Sequence, residues 1–190
     1  DKNTKAKDFY NMFNGCKSLK SVPADLFKYN TAATSFRMTF ASTGLVEVPA
    51  GLFDGKTKVT NYNGCFYKCE NLTTVPAGLF EDAIAATDMA RMFIGCKALQ
   101  SVPEDLYKTC VKVTTFANLF EECTNLSTVP AGLFAQNTKV TNFSSLFKNC
   151  SKLSVVPADL FAANTAAVNF SSMFYGCTSL TAIPADLFVH

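Results

Sequence analysis

Eight cysteines carry most of the chemical potential of this chain, and their spacing limits what they can do. Cys16, Cys69, Cys96, Cys123, Cys150 and Cys177 recur at one phase of a repeat, a placement that could serve disulfide formation, metal binding or plain packing. Cys65 and Cys69 stand four apart instead of forming a Cys-x-x-Cys pair, Cys110 lies in a loop as the expected exposed thiol, and the only histidine is His190. Structural zinc therefore lacks its ligand spacing. A nucleophilic cysteine or serine lacks a base, because there is no internal histidine to take its proton. Asp25, Asp105, Asp159 and Asp186 could be taken as a calcium column, but Gly51, Gly78 and Gly132 replace Asp in other coils. No glycine-rich, Asp-bearing calcium loop accompanies them. The expectation is a non-enzyme with no catalytic residue, no cofactor and no metal site.

These residues are positioned by a repeat. Every proline sits at one phase, Pro23, Pro49, Pro76, Pro103, Pro130, Pro157 and Pro184, spaced by 27 residues after a first interval of 26. Self-similarity at this period is the signature of a solenoid, in which each coil buries its apolar face only on its neighbours. All 18 phenylalanines fall in three columns, begun by Phe9, Phe13 and Phe27, with Tyr62, Met89 and Tyr107 filling the three vacancies. Such columns read as core. An unbroken repeat over 190 residues argues for a single domain, 1–190, belonging to a longer chain or assembly. The net charge of +2, spread over many coils, disfavours nucleic acid. No apolar run is long enough for a membrane span.

One coil can be followed from residue to residue. Phe143, Leu146, Phe147 and Cys150 recur at i, i+3, i+4 and i+7 behind Thr141 or Asn142 as a cap, which predicts a short helix with one apolar stripe. Leu153 and Val156 predict a short extended segment. Pro23-Ala24-Asp25-Leu26-Phe27 and its equivalents predict a helical turn, with proline first and Asp on the positive end of the dipole. In such a stack, equivalent cysteines lie about 5 Å apart, within disulfide reach on distance alone. Free cysteine also packs as a small hydrophobe, and an unpaired thiol ladder is the preferred reading.

The block Cys16-Lys17-Ser18-Leu19-Lys20-Ser21-Val22-Pro23-Ala24-Asp25-Leu26-Phe27 resembles the BspA-like branch of leucine-rich repeats. Met12-Phe13-Asn14-Gly15-Cys16, Met92-Phe93-Ile94-Gly95-Cys96 and Met173-Phe174-Tyr175-Gly176-Cys177 are similar to the related bacterial surface-protein repeats. The resemblance covers nearly the whole chain. It implies an α/β solenoid: a leucine-rich-repeat-like right-handed superhelix of seven coils of about 27 residues, short strands on one face and short helices on the other. It also implies an extracellular protein at the bacterial cell surface, anchored through a segment outside this sequence. The implied function is non-catalytic recognition or adhesion, with a protein, an extracellular-matrix component or a glycan as partner. The alternative is a structural spacer or accessory subunit of a larger outer-membrane surface complex. Two departures are visible: Val is followed directly by Pro, which shortens the strand, and Phe40-Ala41-Ser42-Thr43-Gly44-Leu45 lacks one residue and the cysteine.

Leucine-rich arrays commonly bind through the strand positions that point outward. Here these are Lys20 and Ser21, Val46 and Glu47, Thr73 and Thr74, Gln100 and Ser101, Ser127 and Thr128, Ser154 and Val155, and Thr181 and Ala182. This row is rich in hydroxyls and lacks the Trp, Tyr and Arg typical of tight protein contacts. Tyr10, Tyr29, Tyr67 and Tyr175 escape the core columns, and Tyr67 and Tyr175 share one position on the expected helical surface. Ala182-Ile183-Pro184-Ala185-Asp186-Leu187-Phe188 keeps the apolar pattern almost to the end, so end-to-end contact through uncapped terminal coils is also expected.

Overall fold

The computed structural model describes residues 2–189. Successive coils stack in register, and each contributes one residue to a ladder of parallel bridges: Asp8, Ser35, Asn61, Asp88, Thr115, Asn142 and Asn169. The three aromatic columns lie behind this ladder. Phe13, Phe40, Phe66, Phe93, Phe120, Phe147 and Phe174 form an unbroken stack whose neighbouring centroids are 5.3–5.9 Å apart and whose planes differ by at most 10°. That spacing is the offset-stacked geometry preferred by aromatic quadrupoles. The first and third columns meet edge-on, as in Phe134 against Phe143 at 5.3 Å and 61°. One apolar cluster runs from Phe9 to Leu187.

The expected division into short strands on one face and short helices on the other does not form. Among the described residues the only helical element is a 3-10 turn, Ala131–Phe134, and the pairing consists of isolated bridges. Hydrogen bonding in the third coil gives the reason. Tyr62, Gly64, Phe66 and Lys68 donate their N–H groups to the carbonyls of Asp88, Ala90, Met92 and Ile94 in the next coil, at 2.6–3.0 Å. Cys65, Tyr67 and Cys69 donate instead to Tyr62, Gly64 and Phe66, closing four-residue turns at 2.9–3.1 Å. Alternate donors thus leave the coil, whereas an α-helix keeps all its interior donors within itself. The backbone confirms the turns: φ is +62° at Gly64 and +53° at Lys68, each the third residue of its turn, as a type II turn requires.

The apolar stripe read as helical is therefore a ladder of turns. Side chains at i and i+4 share a face when turns repeat every four residues, and this reproduces the helical pattern. The expected cap survives in a different role. Asp8, Ser35, Asn61, Asp88, Thr115, Asn142 and Asn169 each accept from the N–H two residues on, the Asx or Ser/Thr turn that these residues favour. The predicted turn after proline is i to i+3 bonding, as in Leu26 to Pro23 and Lys28 to Asp25, and reaches 3-10 form at 131–134. At the Val-Pro step the strand reduces to one bridge, Glu47 to Thr74. No helix among the described residues is long and apolar enough to cross a membrane.

Candidate functional site

The cysteines are unpaired, and six of them have a carbonyl partner in the preceding coil, Cys110 only by a long contact of 3.9 Å to Phe80 O. Cys69, Cys96, Cys123, Cys150 and Cys177 place Sγ 3.0–3.2 Å from the carbonyl oxygens of Phe40, Phe66, Phe93, Phe120 and Phe147 in the preceding coil. Each carbonyl also accepts the N–H that closes its own turn, so each is engaged by at least two donors. Thr43 takes the cysteine position in the shortened coil, donating to Phe40 O at 2.8 Å. Burial pushes the Cys69 thiol up to about 11 and Cys110 up to about 12. These are the opposite of activated nucleophiles. Cys110, expected to be exposed, is buried, because its loop position lies inside the stack where Asn137 and Asn164 sit in later coils. Cys16 is the exposed thiol. Among the described residues no three metal-ligating side chains converge.

The fourteen residues expected to form the binding row all reach the surface, with Thr73 half-buried and the others exposed. Backbone bonds join them coil to coil: Val46 to Lys20 at 3.2 Å, Thr73 to Val46 at 2.9 Å, Ser127 to Gln100 at 3.3 Å and Ser154 to Ser127 at 3.2 Å. They form one shallow, hydroxyl-rich row.

A deeper feature lies on the face of the bridge ladder. A groove of about 460 Å³ crosses the outer ends of the turns and gathers Tyr10, Arg37, Met38, Asn63, Tyr67, Arg91, Ile94, Asn118 and Glu121. Both arginines of the chain are here. Their guanidinium groups make no ion pair among the described residues. Arg37 lies 5.0 Å from the Tyr10 ring centroid, and the Lys68 ammonium lies 5.3 Å from that of Tyr67, within cation–π range. At the other end Glu121 is already engaged, by Lys148 at 2.8 Å and by Asn118 Nδ2 at 2.7 Å. The Lys148 hydrogen bond to the Glu121 carboxylate raises the ammonium above its ordinary value. Asn63 Nδ2 donates to both oxygens of Asp88, at 3.2 and 3.0 Å. The cationic end of the groove is thus uncompensated, while its acidic end is neutralised.

Sequence reasoning placed Tyr67 on a surface but missed the groove, because its residues come from different columns in different coils. Arg37 follows Phe36 directly, the same phase at which Tyr10 follows Phe9. That shared phase was the available signal.

A family model described as "Mycoplasma protein of unknown function, DUF285" matches residues 2–104 and again 87–184. No curated protein sequence matches the chain. Among solved structures, the Drosophila Toll–Spatzle complex contains a chain similar to this one at a TM-score of 0.59 and 22% identity, covering 80% of this chain and 18% of that one. A leucine-rich repeat protein from Bacteroides ovatus gives 0.49 and 22%, with 95% of this chain and 52% of that one covered. A leucine-rich cell surface protein from Faecalibacterium prausnitzii gives 0.35 and 18%, with 87% and 57% covered. The chain therefore spans at most about three fifths of each of these three proteins. The first likeness is one of fold alone, shared over 80% of this chain.

Proposed function

The chain belongs to the DUF285 family, and from that premise we propose that it is a non-catalytic recognition or adhesion module at the bacterial cell surface, contacting its partner through the ladder-face groove. The observation that carries this reading is the gathering of Tyr10, Tyr67, Arg37 and Arg91 in one concavity, since Tyr and Arg dominate protein contacts. The chemistry of the thiols agrees with it. Seven of the eight cysteines are buried, and buried structural thiols are inert, so they add no reactivity that would argue for catalysis. The resemblance of the Met-Phe-x-Gly-Cys blocks to bacterial surface repeats, the BspA-like branch among them, supports the location. The row from Lys20 to Ala182 is a second candidate contact, suited by its hydroxyls to weak contacts that add by avidity.

The test uses beads coated with the chain, scored for retention on epithelial cell layers and on extracellular-matrix protein. Retention that falls at least about tenfold in a Tyr10→Ala/Tyr67→Ala variant supports groove recognition. Retention lost only when Thr73, Thr74, Ser127 and Thr128 are replaced by Ala moves the contact to the second row. Retention indifferent to both sets refutes recognition through the array. The remaining reading is then a spacer or accessory subunit, which would co-purify with a larger surface complex.

A further inference from the structure

We propose that the groove takes an acidic, extended polypeptide segment of a partner protein, whose carboxylates pair with Arg37 and Arg91 while its apolar side chains lie on Tyr10 and Tyr67. This rests on the recognition reading above and adds the chemistry of the partner. Charge complementarity is the first ground. Arg37 and Arg91 make no ion pair among the described residues, whereas Glu121, the carboxylate at the far end of the same groove, already holds Lys148 and the amide of Asn118. The unused valence of the groove is therefore cationic.

Arginine presents its donors in a planar fork that matches a carboxylate bidentately. At Arg37 the fork is preorganised by the Tyr10 ring, 5.0 Å from the guanidinium carbon.

Spacing is the second ground. Arg37 and Arg91 stand in the second and fourth coils, one residue apart in phase, so two coil-to-coil steps and one residue along the chain separate their backbones, about 10 Å at the usual strand spacing. An extended segment of polyproline II type, with three residues per turn and a rise of about 3.1 Å, covers about 9 Å in three residues and returns the side chain to the same face. Two carboxylates three residues apart would thus meet both forks at once.

The lining argues for polypeptide over a uniform polyanion. Met38 and Ile94 provide apolar wall, and Asp88, held by Asn63 beside the cationic end, would repel an evenly charged sulfated glycan or nucleic acid. A protein segment can place an amide or apolar group opposite Asp88 and acid only where the arginines are.

The experiment is selection of phage-displayed random dodecapeptides on the whole immobilised chain, followed by titration of synthetic peptides. Selected peptides carrying two Asp or Glu residues about three positions apart, with an aromatic or Leu neighbour, support the proposal. It requires that a Glu→Gln peptide bind at least about tenfold more weakly, and that Arg37→Gln/Arg91→Gln lose binding similarly while keeping the wild-type circular dichroism spectrum. Peptides without acidic enrichment, or equal binding by the double variant, overturn it. Failure to select any peptide while a heparin oligosaccharide binds through Arg37 and Arg91 also overturns it. If any of these overturning results comes with bead retention that still depends on Tyr10 and Tyr67, the acidic partner falls and groove recognition stands.

Discussion

Replacing Gly95 by Ala and Glu122 by Gly should change stability in opposite directions, both contrary to helical expectation. The two residues occupy the same turn position in successive coils, with φ of +69° at Gly95 and +62° at Glu122. In a helix, Gly→Ala stabilises by about 1 kcal/mol and Glu→Gly destabilises by a similar amount. At positive φ, an L side chain costs about 1–2 kcal/mol, while glycine's freedom in the unfolded chain offsets about 0.4–1 kcal/mol of that. The net is roughly 1 kcal/mol against Gly95→Ala and a similar or smaller gain for Glu122→Gly. Gly95 carries a further cost, since an added Cβ would sit 3.1 Å from Lys68 Cγ and 3.6 Å from its Cα. Equilibrium urea unfolding reads both effects: with m near 2 kcal/mol/M, each kcal/mol moves the midpoint by about 0.5 M. A midpoint that rises for Gly95→Ala and falls for Glu122→Gly would refute the turn ladder and restore the helix.

Thiol labelling of the native protein should modify Cys16 within minutes and leave the other seven unmodified until denaturant is added, because only Cys16 is exposed; mass spectrometry after maleimide treatment decides this, and early labelling of Cys110 would refute its burial. Stability should fall as pH rises above the ordinary thiol value of 9.0, over a window reaching about 11 for Cys69 and about 12 for Cys110. The sign follows from proton counting: in that window the unfolded thiol is ionised and the folded one is not, so each costs about 1.4 kcal/mol per pH unit. A Cys69→Ala variant should show a shallower alkaline slope in urea titrations from pH 8.5 to 11, and an unchanged slope would count against the burial. Gly44→Ala should cost more than Gly55→Ala in the same urea assay: a Cβ at Gly44 would overlap the Lys17 carbonyl oxygen and approach Leu19 O at 3.3 Å, while Gly55 faces open space and carries only the cost of its φ of +71°, roughly 1 kcal/mol. Equal costs would remove the close coil contact.

The columns were legible because a solenoid repeats its contacts: Phe13, Phe40, Phe66 and Phe93 recur at one phase and do stack. Element type was harder to read. Phe143, Leu146, Phe147 and Cys150 satisfy a helix and a train of four-residue turns equally well, so hydrophobic spacing alone could not separate them. The discriminating signal was in polar positions. Gly15, Gly95 and Gly176 share one phase with Asn149, and Gly64 shares another with Asn11 and Asn118; these residues tolerate positive φ and are poor helix formers. The misplaced exposure of Cys110 has a related cause. Its loop turns inward, and in later coils Asn137 and Asn164 use that inward position to donate to backbone carbonyls of the coil before. The groove was illegible for another reason: its aromatic and cationic members are separated in sequence by whole coils and become neighbours only through stacking.

The alternating donors of the turn ladder also bear on how the protein carries mechanical load. The N–H groups of Tyr62, Gly64, Phe66 and Lys68 all cross one seam to the next coil, so tension applied along the stack pulls on them together, in parallel. Successive seams, however, are loaded in series. Under a pull along the stack axis, extension would proceed by the parting of single seams, each releasing a coil's length of slack and limiting the force reaching the rest.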